Sequence, residues 1–220
     1  MGTGLIEYDW NFIEKYTDEE ISYFLTLEGK SIDAVAKIRN IDRSTVQKHI
    51  INAKIKYRYL VKSNSVDELF KYLMAAVKDE RLRVLANLDK VNREKLIYYM
   101  KSQYMELNLK EKEAAIWIMG ELKVVSSVDI LIKATVNNHV NIRRMSISAL
   151  GKIGDPRAGV ALIRALEDEN GQVASYAVKA LQKLKYSEAG EKIQELKNKT
   201  NKEYVKKACE DFENSFKDGE

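Results

Sequence analysis

The residues best suited to recognition chemistry are concentrated between Arg43 and Lys56, in the run RSTVQKHIINAKIK. On a helix with Val46, Ile50 and Ala53 inward, the step of about 100° per residue turns Ser44, Gln47, Lys48, Ile51 and Asn52 outward. That set suits base-pair edges. The amides of Gln47 and Asn52 can pair with adenine, Lys48 with guanine or phosphate, and Ile51 can touch a thymine methyl. Arg43, Thr45, Lys54 and Lys56 are better placed for backbone phosphates, which orient a protein on a duplex without reading its sequence. A solvated basic helix used for protein contact would carry the same residue types, so both readings stand.

Residues for covalent or metal chemistry are sparse. His49 and His139 are the only histidines, and neither has an acidic or cysteine neighbour at ligand spacing. Cys209 falls in a column of apolar positions with Ile116, Ile147 and Val178, which makes it a buried small residue. The glycines at 151, 154, 159, 171 and 190 sit at helix joins or close contacts and form no phosphate loop. No enzyme activity, metal or cofactor is expected.

The elements that must position Arg43–Lys56 begin at Thr17. Thr17 and Glu20 form a capping box for a helix with Ile21, Phe24, Leu25 and Leu27, which stops at Gly29. Ser31 caps a second helix with Ile32, Val35, Ala36 and Ile38 inward. Asn40 can take a left-handed turn, Ile41 plugs the corner, and a third helix begins near Arg43. This is the spacing of a helix-turn-helix. The stretch TDEEISYFLTLEGKSIDAVAKIRNIDRSTVQKHIINAKIKYRYL from Thr17 resembles the helix-turn-helix of LuxR/GerE regulators and region four of sigma factors. The resemblance rests on Glu28–Ser31, Val35-Ala36, Ile41, Ser44–Val46 and Ala53-Lys54, and it implies duplex DNA as partner. Asn40 stands where that family prefers glycine. Arg39 replaces an apolar residue, which predicts a more loosely packed second helix.

The rest of the chain repeats every 31 residues. The clearest copy, Asn141–Gly171, has a first helix over Ile142–Ile153, a stop at Gly154-Asp155-Pro156, and a second helix with Ala158, Ala161, Leu162, Ala165 and Leu166 inward. Four columns hold the step: Leu88, Met119, Leu150, Leu181 and Phe212; Val91, Leu122, Ile153 and Leu184; Val84, Ala115, Ser146, Ala177 and Ala208; and Leu69, Met100, Leu131, Leu162 and Ile193. Such helix pairs bury their faces only by stacking. Ala149–Asp168 is similar to the short HEAT-like repeats of phycobilisome lyases, which implies a binding scaffold across roughly 66–220. Of that family's polar ladder, Arg143 and Asp168 match, whereas Asn137 and Ala174 depart.

No linker separates the two parts. Ser65 and Glu68 read as a capping box for a helix over Val66–Lys78, and the register carried backward predicts one continuous helix over Arg43–Leu60, with Tyr57 and Leu60 in the repeat core. Outward positions on the second helices (Ser102, Lys133, Arg164, Glu195, with Asp129, Val160 and Glu191) mix both signs, which favours a protein partner over nucleic acid there. Trp117 points away from the first-helix core, either as an exposed anchor for that partner or packed on the N-terminal domain.

At 220 residues, 45% hydrophobic and 32% charged, with one proline and one cysteine, the chain suits one or two helical domains in a reducing cytoplasm. No apolar run approaches the roughly 18 residues of a membrane helix. Residues 1–29 carry seven acids against Lys15, residues 30–62 nine bases against Asp33 and Asp42, so the basic charge is concentrated in the second segment. That asymmetry points to a polyanion there. The sequence thus predicts an all-α protein, a helix-turn-helix domain over 1–62 fused to a short HEAT-like α-α solenoid over 63–220. The expected function is a cytoplasmic DNA-binding regulator whose solenoid, through Lys133, Arg164 and Trp117, binds a protein. The alternative is an adaptor scaffold with a vestigial helix-turn-helix. A HEAT-like DNA glycosylase fits less well, because the mixed-sign surface is unlike a basic groove.

Overall fold

A computed structural model describes residues 4–217, which form helices and turns with no strand among them. They gather into two compact units, one ending at Tyr99 and the other beginning at Met100. The expected boundary at 62/63 falls inside the first unit, because the elements after it pack back on the helix before it.

In the first unit, α1 (Asp18–Leu27), α2 (Ile32–Arg39) and α3 (Arg43–Lys62) are followed by α4 (Val66–Ala75), α5 (Lys78–Asn87) and α6 (Lys90–Gln103), whose residues through Tyr99 belong here. The 20-residue α3 is continuous, as the 31-residue register required. Its first half buries Val46, Ile50 and Ala53 toward α1 and α2, and its second half packs on α4 and α5. Leu60 is buried there as expected. Tyr57 goes the other way: its ring stacks 6.2 Å from Tyr23 of α1. Tyr59 takes the contact with α4 instead, 4.7 Å from Tyr72. Two residues of helical rotation, about 200°, decide this, since α1 and α4 lie on different sides of α3.

The segment before α1 supplies a part of the core that amphipathic spacing does not reveal. Tyr8 stacks 4.6 Å from Phe24, with Trp10 and Tyr16 edge-on to the same ring. Leu5 donates its backbone N–H to the Leu60 carbonyl at 2.7 Å, and the Leu5 carbonyl accepts from the buried amide of Asn92 at 2.8 Å. The helix expected over Val66–Lys78 stops at Ala75, and Ser65 caps it by accepting from the Glu68 N–H. Glu68 returns its carboxylate to the N–H of Asn64, not of Ser65, so the box is displaced by one residue.

The second unit contains α7 (Leu109–Glu121), α8 (Val128–Ala134), α9 (Val140–Ile153), α10 (Gly159–Arg164), α11 (Gly171–Lys183), α12 (Gly190–Lys199) and α13 (Glu203–Lys217). The odd-numbered helices pack on one another in succession, and the short even-numbered helices form a second layer against them. The column positions carry this stack: Ala115, Met119, Leu131, Ile147, Leu150, Leu162, Ala177, Leu181, Ile193 and Phe212 are all buried. Cys209 is buried beside them. The first copy of the pattern fails at two columns, where Leu88 is only half-buried and Val91 is 44% exposed. There α5 ends, Leu88 is extended, and Asp89 accepts from the Asn92 N–H to start a new helix, so Val91 lands on an outer face.

Two further 31-residue columns explain how the helices come together. Gly120 and Gly151 abut Ala149 and Ala180 of the next first helix; a Cβ on Gly151 would lie 2.8 Å from the Ala180 Cβ. The chain leaves each first helix through a left-handed residue: Lys123 (φ 49°), Gly154 (φ 75°) and Lys185 (φ 52°). Only one is glycine, so two lysines hold a conformation that costs L-residues about 1–2 kcal/mol. At the opposite, N-terminal end of α9, Arg143 and Asp168 form the single rung of the polar ladder, a bidentate pair at 2.7 and 2.9 Å, with Arg143 also donating to the carbonyls of Asn137 and Asn138.

Two substitutions test these columns by chemical denaturation. Gly151→Ala should lower stability by about 1–3 kcal/mol through overpacking. Lys185→Gly should raise it by about 0.5–1 kcal/mol, the relief of left-handed strain less the added chain entropy.

Candidate nucleic-acid interface

The helix-turn-helix is built from three side-chain caps. Thr17 accepts from the Glu20 N–H while Glu20 accepts from the Thr17 N–H at 2.8 Å, the expected capping box of α1. Ser31 accepts from Ala34 N–H to open α2. Asn40 closes α2 in the left-handed conformation (φ 51°, ψ 45°), and Asp42 opens α3 by accepting from the Thr45 N–H at 2.9 Å. Asparagine tolerates that conformation better than most residues, which is why the turn survives without glycine.

Arg39 does not loosen α2. Its guanidinium reaches back to α1, donating to the Asp18 carboxylate and carbonyl and, at 2.7 Å, to the Ser22 hydroxyl. An apolar residue could fill this place, but a guanidinium supplies the donors that the start of α1 accepts. Rotating Arg39 inward turns Ile38 outward, so Ile38, expected in the core, is 59% exposed.

The acids of α1 and the bases of α2 and α3, distant in charge along the chain, meet in space. Lys56 donates to Glu20 at 2.7 Å, and Tyr57 donates to the same oxygen. Asn52 donates to Glu19 at 2.7 Å. Arg43 pairs with Asp33, and the hydroxyls of Ser44 and Thr45 both donate to Asp42. These hydroxyls hold the Asp42 carboxyl well below the usual range. Burial alone would raise the Glu20 carboxyl, but the hydrogen bonds from Lys56, Tyr57 and the Thr17 backbone, with the Lys56 charge, bring it down to about 2. Burial and the Glu20 carboxylate in turn push the Tyr57 hydroxyl up. His49 lies 3.0 Å from the Ser22 hydroxyl, on the packed side of α3.

Of the nine residues expected to face DNA, Thr45 is half-buried and the other eight are exposed on α3. They divide by partner. Arg43, Ser44, Thr45, Asn52 and Lys56 are engaged with acids of the same unit, whereas Gln47, Lys48, Ile51 and Lys54 make no hydrogen bond or ion pair with the described residues. The outward stripe is also longer than expected: Ile55, Arg58 and Lys62 continue it, and all three are exposed. The same 100° step that selects Gln47 and Ile51 selects them, and extending it past Lys56 finds them. In the second unit Lys133 and Arg164 are exposed as expected, beside exposed Asp129, Val160 and Glu191. Trp117 is half-buried, not exposed, because α7 is covered on more of its circumference than one inward face requires.

Among the described residues no group of three His, Cys, Asp or Glu side chains could hold a metal, and no helix is long and apolar enough to cross a membrane. The family model for a helix-turn-helix domain matches residues 18–110, and the model for HEAT repeats matches residues 106–174. No curated protein matches the chain. The fold is therefore all-α, with an N-terminal helix-turn-helix domain followed by HEAT repeats.

The Glu20 cluster sets an acid limit on the helix-turn-helix. With its folded value below an unfolded value near 4.3, Glu20 contributes stability that is complete above about pH 4.5 and disappears as pH falls toward 2. Glu20→Gln should remove on the order of 2–3 kcal/mol at neutral pH. It should also flatten the loss between pH 5 and pH 2, measured by urea denaturation at each pH. A parent and variant with parallel acid profiles would show that Glu20 does not govern it.

Proposed function

We propose that this chain is a non-enzymatic DNA-binding regulator. Its helix-turn-helix lays the outward stripe of α3 in the major groove, and its HEAT repeats hold a protein partner through the exposed second-helix face around Lys133 and Arg164. The observation that carries the reading is the separation of partners on α3. Acids of the fold engage the cations nearest the packed side, and Gln47, Lys48, Ile51 and Lys54 are left exposed on one face, with Arg58 extending it. Gln47 and Ile51 are the base-reading members, suited to adenine and to a thymine methyl; Lys48, Lys54 and Arg58 supply phosphate contacts. Within the helix-turn-helix class the capped turn and the Val35–Ala36 pair favour a LuxR/GerE or sigma-region-four type, and the cytoplasm is the compartment that such a role requires.

An adaptor reading has its own support. Ile38, Ile51 and Ile55 are 59%, 58% and 66% exposed, and three isoleucines on one small domain suit a protein contact as well as a duplex.

Salt separates the two. On a random duplex, affinity should fall steeply between 50 and 200 mM salt. Lys48→Ala and Lys54→Ala should each reduce the slope by about one without changing sequence preference. Lys56→Ala should lower thermal stability and leave the slope almost unchanged, because Lys56 is bonded to Glu20. Gln47→Ala should leave melting alone and cost about 1–3 kcal/mol of discrimination at one base pair. Binding that is absent at 50 mM salt, or indifferent to salt, selects the adaptor.

A further inference from the structure

Between the end of α1 and the second half of α3 lies a cleft of about 660 Å³, within the first unit. Its size is that of a small-ligand site, which commonly runs from about 300 to 1,000 Å³. Leu27, Ile55 and Val61 give it apolar walls. Lys54, Arg58 and Lys62 line it as well, at intervals of four residues on α3, so three cations run along one edge over about 12 Å. None of the three forms an ion pair with the described residues, although the acids of α1 and α2 have paired with Arg39, Arg43 and Lys56. Ile55, two-thirds exposed, is an apolar side chain that the fold leaves uncovered.

We propose that this cleft binds a small anionic amphiphile, a molecule with a medium-length apolar chain and a carboxylate or phosphate head. The chain covers Leu27, Ile55 and Val61, and the head takes charge-assisted hydrogen bonds from Arg58 and its neighbouring lysines. Nucleic acid satisfies the cations but leaves the apolar walls in water, and a neutral lipid does the reverse. A docked peptide helix needs anchors over several turns, whereas the cation row spans about two turns. Because Lys54 and Arg58 also belong to the stripe assigned to DNA, an occupied cleft withdraws two cations from that stripe and makes the ligand an effector of DNA affinity. The ligand test uses no DNA, so it stands or falls apart from the DNA reading.

The probes are decanoate, decyl phosphate and decan-1-ol, titrated into the full chain below their aggregation range, by calorimetry and by methyl NMR of isoleucine, leucine and valine. Decanoate or decyl phosphate should saturate one site, with the largest shifts at Ile55, Leu27 and Val61. The tighter of the two identifies the head group. Decan-1-ol should bind about tenfold or more weakly, and Arg58→Ala should weaken the anions by about tenfold while leaving the alcohol unchanged. Lys62→Ala, at the end of the row, provides the same comparison should Arg58→Ala disturb the fold. The proposal is overturned by a lack of saturation, by equal affinity for the alcohol, or by shifts centred elsewhere. It is overturned also if these probes are silent and an acid-faced amphipathic peptide perturbs the same methyls, which would make the cleft a protein-docking groove.

Discussion

The first unit depends on one constraint, the continuity of α3 over 20 residues. A helix of that length has to bury its apolar residues against two different sets of neighbours. Val46, Ile50, Ala53 and Tyr57 turn to α1 and α2, while Tyr59 and Leu60 turn to the other side, where Tyr59 meets α4. An α-helix fixes the angle between successive side chains, so the placement of α1 on one side and α4 on the other also settles which residues remain outside. Gln47, Lys48, Ile51, Lys54, Ile55 and Arg58 form the outer stripe because the inner positions are taken. The aromatic cluster of Tyr8, Trp10, Tyr16 and Phe24 then packs the segment before α1 onto that helix.

Charge is sorted by the same geometry. Along the chain the acids precede the bases, and that order suggests a wholly basic domain surface. In the fold, α1 lies across α3, so the two sets face each other. Arg39, Arg43 and Lys56 are held by Asp18, Asp33 and Glu20. Exposed pairs of this kind contribute little to stability, but the Glu20 pair is shielded and shares its carboxylate with a tyrosine. The net effect is to select among the cations. Those on the packed flank are bonded to acids of the same unit, and Lys48, Lys54 and Arg58 on the outer stripe form no ion pair with the described residues.

The second unit is governed by repetition. The turns after α7, α9 and α11 place a left-handed residue at the same step, and α7 and α9 each meet the next first helix through a small residue: Gly120 on Ala149, Gly151 on Ala180. Ser146 occupies a column otherwise held by apolar residues and is buried with an unpartnered hydroxyl, the one column member for which the packing gives no polar compensation. The isolated Arg143–Asp168 pair ties the start of α9 to the turn before α11, while Arg143 also holds the preceding turn through the Asn137 and Asn138 carbonyls, and it has no counterpart where Asn137 and Ala174 replace its members.

Sequence alone determined most of the helices, the caps of α1 and α2 and the repeat step, because those arise from nearest-neighbour chemistry and from the 3.6-residue period. It determined as well the left-handed turn at Asn40 and the inward face of α3 through Ala53. Tertiary structure decided whatever required knowing which element lies against which. Tyr57 and Tyr59 are equally aromatic in sequence, and only the positions of α1 and α4 assign one to each. Arg39 reads as a defect until Asp18 and Ser22 are seen beside it. Lys54 and Lys56 are both basic and two residues apart, yet Lys56 faces Glu20 and Lys54 faces a cleft. The break at Leu88 and Asp89, where the repeat pattern predicts an unbroken column, likewise comes from a competing local cap that periodicity cannot weigh. A helical period tells which residues share a face, and the cover of that face is settled by contacts between residues far apart in the chain.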